Sequence, residues 1–317
     1  MMENQDVIYV DGLYKSYGEV KAVAGISFQI QAGEIFGMVG PNGSGKTTTI
    51  ECIEGMRQPD AGTIRLLGLD PQQSSYLIRE RTGVQLQSSS LPARMRVQEA
   101  LELFASFYLK TIDWRDLLEE LGLADKRKAF FSQLSGGQKQ RLFVALALLN
   151  QPEVVFLDEL TTGLDPQARH NTWDLVRKIR EKGTTVFITT HFMDEAEQLC
   201  DRVAILNYGR IIALDTPANL VSQPGMSVRI SFQLNGGRRN SQEARPAFNP
   251  ALIGAIDGVQ RVELNGEEVS VYGREESLVG AIIRSLEEAR LDFHNLHTDQ
   301  ATLEDVYLAL TGRTIRD

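Results

Sequence analysis

The chain has 317 residues, 42% of them hydrophobic and 24% charged, the composition of a globular protein and a length that predicts two domains. A formal net charge of −9 argues against nucleic acid as the main partner, since that role calls for a basic field. No apolar stretch approaches the roughly 18 residues that cross a bilayer. The longest candidate, residues 142–149, is far shorter, and the opening Met1-Met2-Glu3-Asn4-Gln5-Asp6 is too polar for a secretory leader. Cys52 and Cys200 lie in apolar helical contexts and form neither a disulfide framework nor a metal-ligand spacing. A cytoplasmic chain is expected.

Residues 7–10 and 26–30 read as early strands. The apolar run Ile35-Phe36-Gly37-Met38-Val39 then leads as a buried strand into Gly40-Pro41-Asn42-Gly43-Ser44-Gly45-Lys46-Thr47. These residues fit G-x-x-x-x-G-K-[ST], the loop whose backbone N–H groups wrap the phosphates of a nucleoside triphosphate. Thr47-Thr48-Thr49-Ile50-Glu51-Cys52-Ile53 follows in a pattern a helix can carry. Strand, glycine loop and helix together aim N–H groups and the positive helix end at an anion. Gly40, Gly43 and Gly45 allow positive φ and close approach to phosphate. Lys46 is expected to reach the β- and γ-phosphates, and the Thr47 hydroxyl to bind Mg²⁺.

From residue 88 to about 135 the pattern turns helical, with amphipathic segments at 97–104 and 114–121 and no strand between them. It reads as a helical insertion into an α/β core. Leu134-Ser135-Gly136-Gly137-Gln138 then opens an apolar helix, and Ser at a helix start followed by two glycines makes a second anion cradle. The run Val154-Val155-Phe156-Leu157 suits a central parallel strand buried on both faces, and it ends in Asp158-Glu159. Acids at the carboxyl end of such a strand fall where ligands bind in open α/β sheets. Asp158 is placed to hold Mg²⁺, directly or through water, and Glu159 to orient and deprotonate an attacking water. Asp165-Pro166 starts a helix running to about Gly183, and the strand at 184–190 ends at His191. Residues 202–206 and 210–214 flank Asn207-Tyr208-Gly209 as a hairpin.

After Pro217 the composition shifts, and Ser222-Gln223-Pro224-Gly225 reads as a linker. Beyond it come a strand at 227–233, a polar loop, a hairpin around Asn265-Gly266, and helices near 275–289 and 303–310. The expected division is 1–220 for the nucleotide domain, with a helical subdomain at about 88–135, and 221–317 for a small α+β domain.

In their order, Gly40 to Thr47, Leu134 to Gln138, Asp158-Glu159, Gly163-Leu164-Asp165 and His191 resemble the ATP-binding cassette (ABC) ATPases over roughly residues 5 to 220. The Leu-Ser-Gly-Gly-Gln element is nearly diagnostic of that family. The resemblance implies a P-loop fold with a mixed, mainly parallel core sheet, a β subdomain and a helical subdomain. It also implies ATP and Mg²⁺ as cofactors, and two cassettes packed head to tail around two ATP molecules. The implied ATP-binding set is Tyr17, stacking on adenine, with Gly40, Pro41, Asn42, Gly43, Ser44, Gly45, Lys46, Thr47 and Thr48. Ser135, Gly136, Gly137, Gln138 and Asp165 are implied to act on the partner's nucleotide. Thr47, Gln87 and Asp158 are implied Mg²⁺ ligands, and Glu159, His191 and Gln87 the catalytic set, with Gln85 a rival for the glutamine. Bland alternatives exist for three of them. Tyr17 could be a core residue beside Tyr14, Asp165 a plain helix cap, and His191 a structural histidine. One departure is Leu160, where the family commonly has Pro after the catalytic Glu.

The ending from Ala301 to Arg313 and the segment Gly33-Glu34-Ile35-Phe36-Gly37 resemble the antibiotic-efflux, daunorubicin-type export ATPases. In that group the cassette is a peripheral chain on the cytoplasmic face of the cell membrane, driving a separate permease. A homodimer is expected, exporting a drug, antibiotic or lipid-like compound. The competing class is a soluble ABC ATPase with no permease. A generic P-loop kinase or GTPase is disfavoured by Leu134 to Gln138.

Overall fold

The computed structural model describes residues 6–86, 90–222, 228–234, 248–273 and 277–312. In chain order it begins with β1 (Asp6–Tyr17), β2 (Val20–Gln31), β3 (Ile35–Val39), α1 (Lys46–Ile53), β4 (Ala61–Leu66), α2 (Ser75–Arg79) and β5 (Thr82–Gln85). Next come α3 (Val97–Ala105), α4 (Trp114–Glu120), α5 (Gly136–Leu148), β6 (Val154–Asp158), α6 (Pro166–Glu181) and β7 (Thr185–Thr190). Then follow α7 (Met193–Leu199), β8 (Arg202–Asn207), β9 (Arg210–Asp215) and α8 (Pro217–Val221). The chain divides into two compact units, one reaching Pro217 and the other beginning at Ala218.

In the first unit, β2, β1 and β4 form an antiparallel sheet in that order. The main sheet has the order β5-β6-β7-β3-β8-β9, parallel except for the β8–β9 hairpin at its edge. Every residue of β3, β6 and β7 is buried, as parallel strands covered on both faces require. The two sheets meet over aromatic rings: Phe28 stacks on Phe36 at 5.4 Å, and Phe36 and Phe156 contact Phe187 at 5.5 and 5.7 Å. This packing anchors β3 directly beneath the glycine loop. Leu160, which stands where the family commonly has proline, is buried in the core. Among the described residues between β5 and β6 there are helices and loops but no strand, as the pattern predicts, and α3 buries Val97, Ala100 and Leu101 along one stripe.

Sequence patterning missed β4, β5 and, in the second unit, the strand over residues 293–300. β5 is only four residues long, and β4 exposes most of its positions, so neither carries a strong apolar signature. The helix after Ser135 begins at Gly136, as a serine at a helix start predicts, because the serine cap outweighs the poor helix propensity of two glycines.

The second unit contains β10 (Val228–Leu234), α9 (Pro250–Gly254), β11 (Val259–Asn265), β12 (Glu268–Gly273), α10 (Leu278–Glu288), β13 (Phe293–Gln300) and α11 (Leu303–Thr311). Its antiparallel sheet has the order β11-β12-β10-β13. Ile230, Phe232, Ile253, Val269, Val271, Ile282 and Leu286 form its core. The Asn265-Gly266 turn joins β11 to β12, with Gly266 at φ 64°. Most of the expected linker, residues 223–225, and the polar loop before α9 lie outside the described residues.

Candidate active site

The adjacent strands β6, β7 and β3 bring three carboxyl ends side by side, and each contributes to one site. β3 delivers the glycine loop. A Cβ at Gly45 (φ 108°) would fall 2.3 Å from the Ala22 carbonyl oxygen. A Cβ at Gly40 would lie 2.4 Å from that of Leu206. Both positions therefore demand glycine on steric grounds, whereas a Cβ at Gly43 would meet nothing, leaving only its φ of 79° as the reason. Gly45 stands immediately before α1, so the free N–H groups of the first helical turn face the loop.

Lys46, 4% exposed, curls back so that its Nζ donates to the carbonyls of Gly40 (2.8 Å) and Pro41 (3.1 Å). Its Nζ is also 3.9 Å from Oε1 of Glu159. Burial pulls its pKa down, opposed by the charges of Glu159 and Asp158. Thr47 Oγ1 donates to Asp158 Oδ2 at 3.3 Å, and Thr189 Oγ1, from β7, donates to Oδ1. Burial raises the Asp158 pKa, while the Thr189 bond lowers it. A hydroxyl and a carboxylate brought together in this way are hard oxygen donors of the kind Mg²⁺ takes.

Glu159 is 8% exposed and adopts φ 50°, a left-handed conformation that costs a non-glycine residue of order 1 kcal/mol. Its N–H is held by the Thr189 carbonyl at 3.0 Å, and its Oε2 accepts from Thr162 Oγ1 at 3.3 Å. These contacts turn the carboxylate toward Lys46 and toward His191, whose Nδ1 is 3.4 Å from Oε1. Lys46, Thr47, Asp158, Glu159 and His191 thus form one constellation.

Tyr17, at the end of β1, is 41% exposed, which removes the core alternative. The Arg57 guanidinium lies 5.2 Å from its ring centroid and Lys15 Nζ 5.9 Å away. Gln85 is buried at the end of β5, with Nε2 donating to the Leu86 carbonyl, while Gln87 lies outside the described residues.

Ser135 Oγ accepts from Gln138 N (3.3 Å) and Gln138 Oε1 from Ser135 N (2.9 Å), a reciprocal cap that uses both side chains. Gly136 and Gly137 behave differently from the loop glycines, because a Cβ there would meet only Leu164 at 4.0 Å and Ala168 at 3.7 Å. Asp165 caps α6, its Oδ1 accepting from Ala168 N at 2.9 Å. Sequence reasoning missed Thr189, although hydroxyls at a buried strand's carboxyl end are a usable signal. It also missed Glu54, at the end of α1, whose two carboxylate oxygens are buried without a hydrogen-bond partner. Nothing in the local pattern Cys52-Ile53-Glu54-Gly55 distinguishes that acid.

A glycine loop, its lysine and an acid pair at neighbouring ends of a parallel sheet define a P-loop nucleoside triphosphatase. The family described as ABC transporter matches residues 23–162. Nod factor export ATP-binding protein I of Ralstonia nicotianae is 40% identical over 319 residues, covering 98% of this chain and 95% of that protein. Daunorubicin resistance ATP-binding protein DrrA3 of Streptomyces coeruleorubidus is 36% identical over 310 residues, 96% of each chain. Among solved structures, an ATP-binding subunit of an ABC transporter matches with a TM-score of 0.62 and 28% identity, over 68% of this chain and 92% of that one. The chain belongs to the ABC transporter ATP-binding family, whose members are ATPases.

Proposed function

We propose that this chain is the ATP-hydrolysing subunit of an exporter. Two copies close around two Mg-ATP and drive a separate membrane permease. Tyr17 and residues 40–48 bind ATP, with Lys46 swinging from its loop carbonyls to the phosphates. Thr47 and Asp158, with Gln87, hold Mg²⁺, which would neutralise phosphate charge. Glu159 takes the proton of the attacking water, and His191 stands beside it to meet the γ-phosphate.

The observation that carries the dimer is the pair Gly136 and Gly137. Both have poor helix propensity, yet this chain leaves room for a Cβ at both. Close approach by something outside the chain explains them, and the exposed helix start with Ser135 suits the partner's phosphate. Asp165, at the start of α6, is offered to the same interface. Among the described residues no helix is long and apolar enough to cross a membrane. We assign membrane passage to a separate permease, in keeping with the printed export roles of the relatives. We place the protein on the cytoplasmic face of the membrane. The printed roles of its relatives, Nod factor export and daunorubicin resistance, favour export of a drug, antibiotic or lipid-like compound. The unit beginning at Ala218 is read as regulating the dimer or meeting the permease.

The test is affinity capture of the chain from detergent-solubilised membranes, with mass spectrometry of what accompanies it. A stoichiometric multi-span protein supports the reading. Complete recovery as a soluble ATPase with no membrane protein refutes it in favour of a permease-free cassette.

A further inference from the structure

Tyr17 is the last residue of β1, and an exposed ring there is free to change rotamer unless something holds it. Arg57, in the loop after α1, does so. Its guanidinium carbon lies 5.2 Å from the ring centroid, within the range of a cation–π contact. The guanidinium is itself tethered to α1, its Nε donating to Glu51 Oε2 at 2.6 Å. The Arg57 N–H donates to the Glu51 carbonyl at 3.0 Å, and Gln72 Nε2 donates to the Arg57 carbonyl at 3.0 Å. The root of the ring is fixed from the same loop. Asp60 Oδ2 accepts from Ser16 N at 2.6 Å, and the Asp60 N–H donates to the Tyr14 carbonyl at 2.8 Å. Lys15 Nζ stands farther from the ring, at 5.9 Å, and is bound to Asp60 Oδ1 at 2.7 Å.

The direction of approach decides what this contact can do. α1 begins at the phosphate loop, Glu51 stands near its C-terminal end, and Arg57 follows that end. The guanidinium therefore comes to Tyr17 from the end of α1 opposite the phosphates. The other ring face is left for a base whose triphosphate sits in the loop. Both faces of an aromatic ring are electron-rich, so two rings stacked face to face oppose each other's quadrupoles. A cation behind one ring draws its electron density back and relieves that opposition. A ring already held also loses less freedom when the base arrives. We propose that Arg57 is a positioning residue for nucleotide binding: tethered by Glu51, it backs the ring of Tyr17 and presents the opposite face to adenine. The proposal rests on reading Tyr17 as the adenine-stacking residue.

The experiment is calorimetric titration of Mg-ADP, which keeps the base and is not hydrolysed, into the purified full chain carrying Arg57→Ala, Tyr17→Ala or both. Tyr17→Ala is expected to weaken binding by about 10-fold, the scale of one base stacked on one aromatic ring. Arg57→Ala is expected to weaken it by about 2- to 5-fold, the range of an exposed cation–π contact, with the melting temperature nearly unchanged. The double variant is expected to bind no more weakly than Tyr17→Ala alone. That loss of effect is the telling measurement, because a role for Arg57 in merely holding its loop would persist without the ring. Binding by Arg57→Ala that equals or exceeds the wild type, or a full Arg57 effect in the Tyr17→Ala background, overturns the positioning role alone. Wild-type affinity in Tyr17→Ala overturns the stacking reading, and the positioning role with it.

Discussion

Glu54 is the strongest case of a buried acid without compensation. Both of its oxygens lack a hydrogen-bond partner, and burial, then the charges of Asp158 and Glu51, push its pKa well above 4.5. An acid whose folded-state pKa lies above its unfolded value binds more protons folded than unfolded. Stability therefore falls as pH rises from the unfolded pKa through the folded one, by up to about 1.4 kcal/mol per pH unit. Glu54→Gln is nearly isosteric and removes the ionisation while keeping a polar head. The variant should match the wild type near pH 4.5 and become progressively more stable above it, the gap levelling once pH passes the folded pKa of Glu54. Asp158, Glu195 and Glu34 have raised pKa values as well, but they are present in both proteins and largely cancel in the difference. The assay is urea unfolding followed by tryptophan fluorescence between pH 4.5 and 8, since both tryptophans, Trp114 and Trp173, lie in the first unit. A gap that is independent of pH, or a variant less stable than wild type at pH 7, refutes the reasoning.

Glu159→Gln should cut ATP turnover by about 100-fold or more, the scale of a lost general base, and convert the chain to a stable dimer in Mg-ATP. Normal turnover, or a monomer by light scattering under saturating Mg-ATP, contradicts the assignment. Lys46→Ala removes the cation between the phosphate loop and two acids, and ATP affinity should fall by about 100-fold, or about 2.7 kcal/mol. Calorimetric titration with Mg-ATP checks this, and unchanged affinity refutes it. Gly45→Ala forces a Cβ to within 2.3 Å of the Ala22 carbonyl oxygen at φ 108°, so loop geometry must break. Loss of ATP binding is expected there, while Gly136→Ala should leave ATP binding by the single chain intact and reduce only turnover. The converse pattern, measured by the same titration and a phosphate-release assay, would sink the distinction drawn between the two sets of glycines.

What the sequence determined by itself is chemistry carried by contiguous backbone. Gly40 to Thr47, Ser135 to Gln138 and Asp165-Pro166 specify a phosphate loop and two helix caps within a few residues, where bond geometry and local hydrogen bonds decide the outcome. The buried runs of β3, β6 and β7 were legible for the same reason, because strands covered on both faces are largely apolar, with polar residues at their ends. Only the tertiary structure decided which distant groups meet. Thr47 reaches Asp158 across 111 positions, and Thr189 reaches it across 31, because β6, β7 and β3 are neighbours in the sheet. The left-handed φ of Glu159, the orphaned carboxylate of Glu54 and the Trp173–Glu195 bond likewise arise from packing between elements remote in the chain. No local pattern encodes these contacts, since burial strips water from a group regardless of its sequence neighbours and leaves its partners to be set by the sheet order.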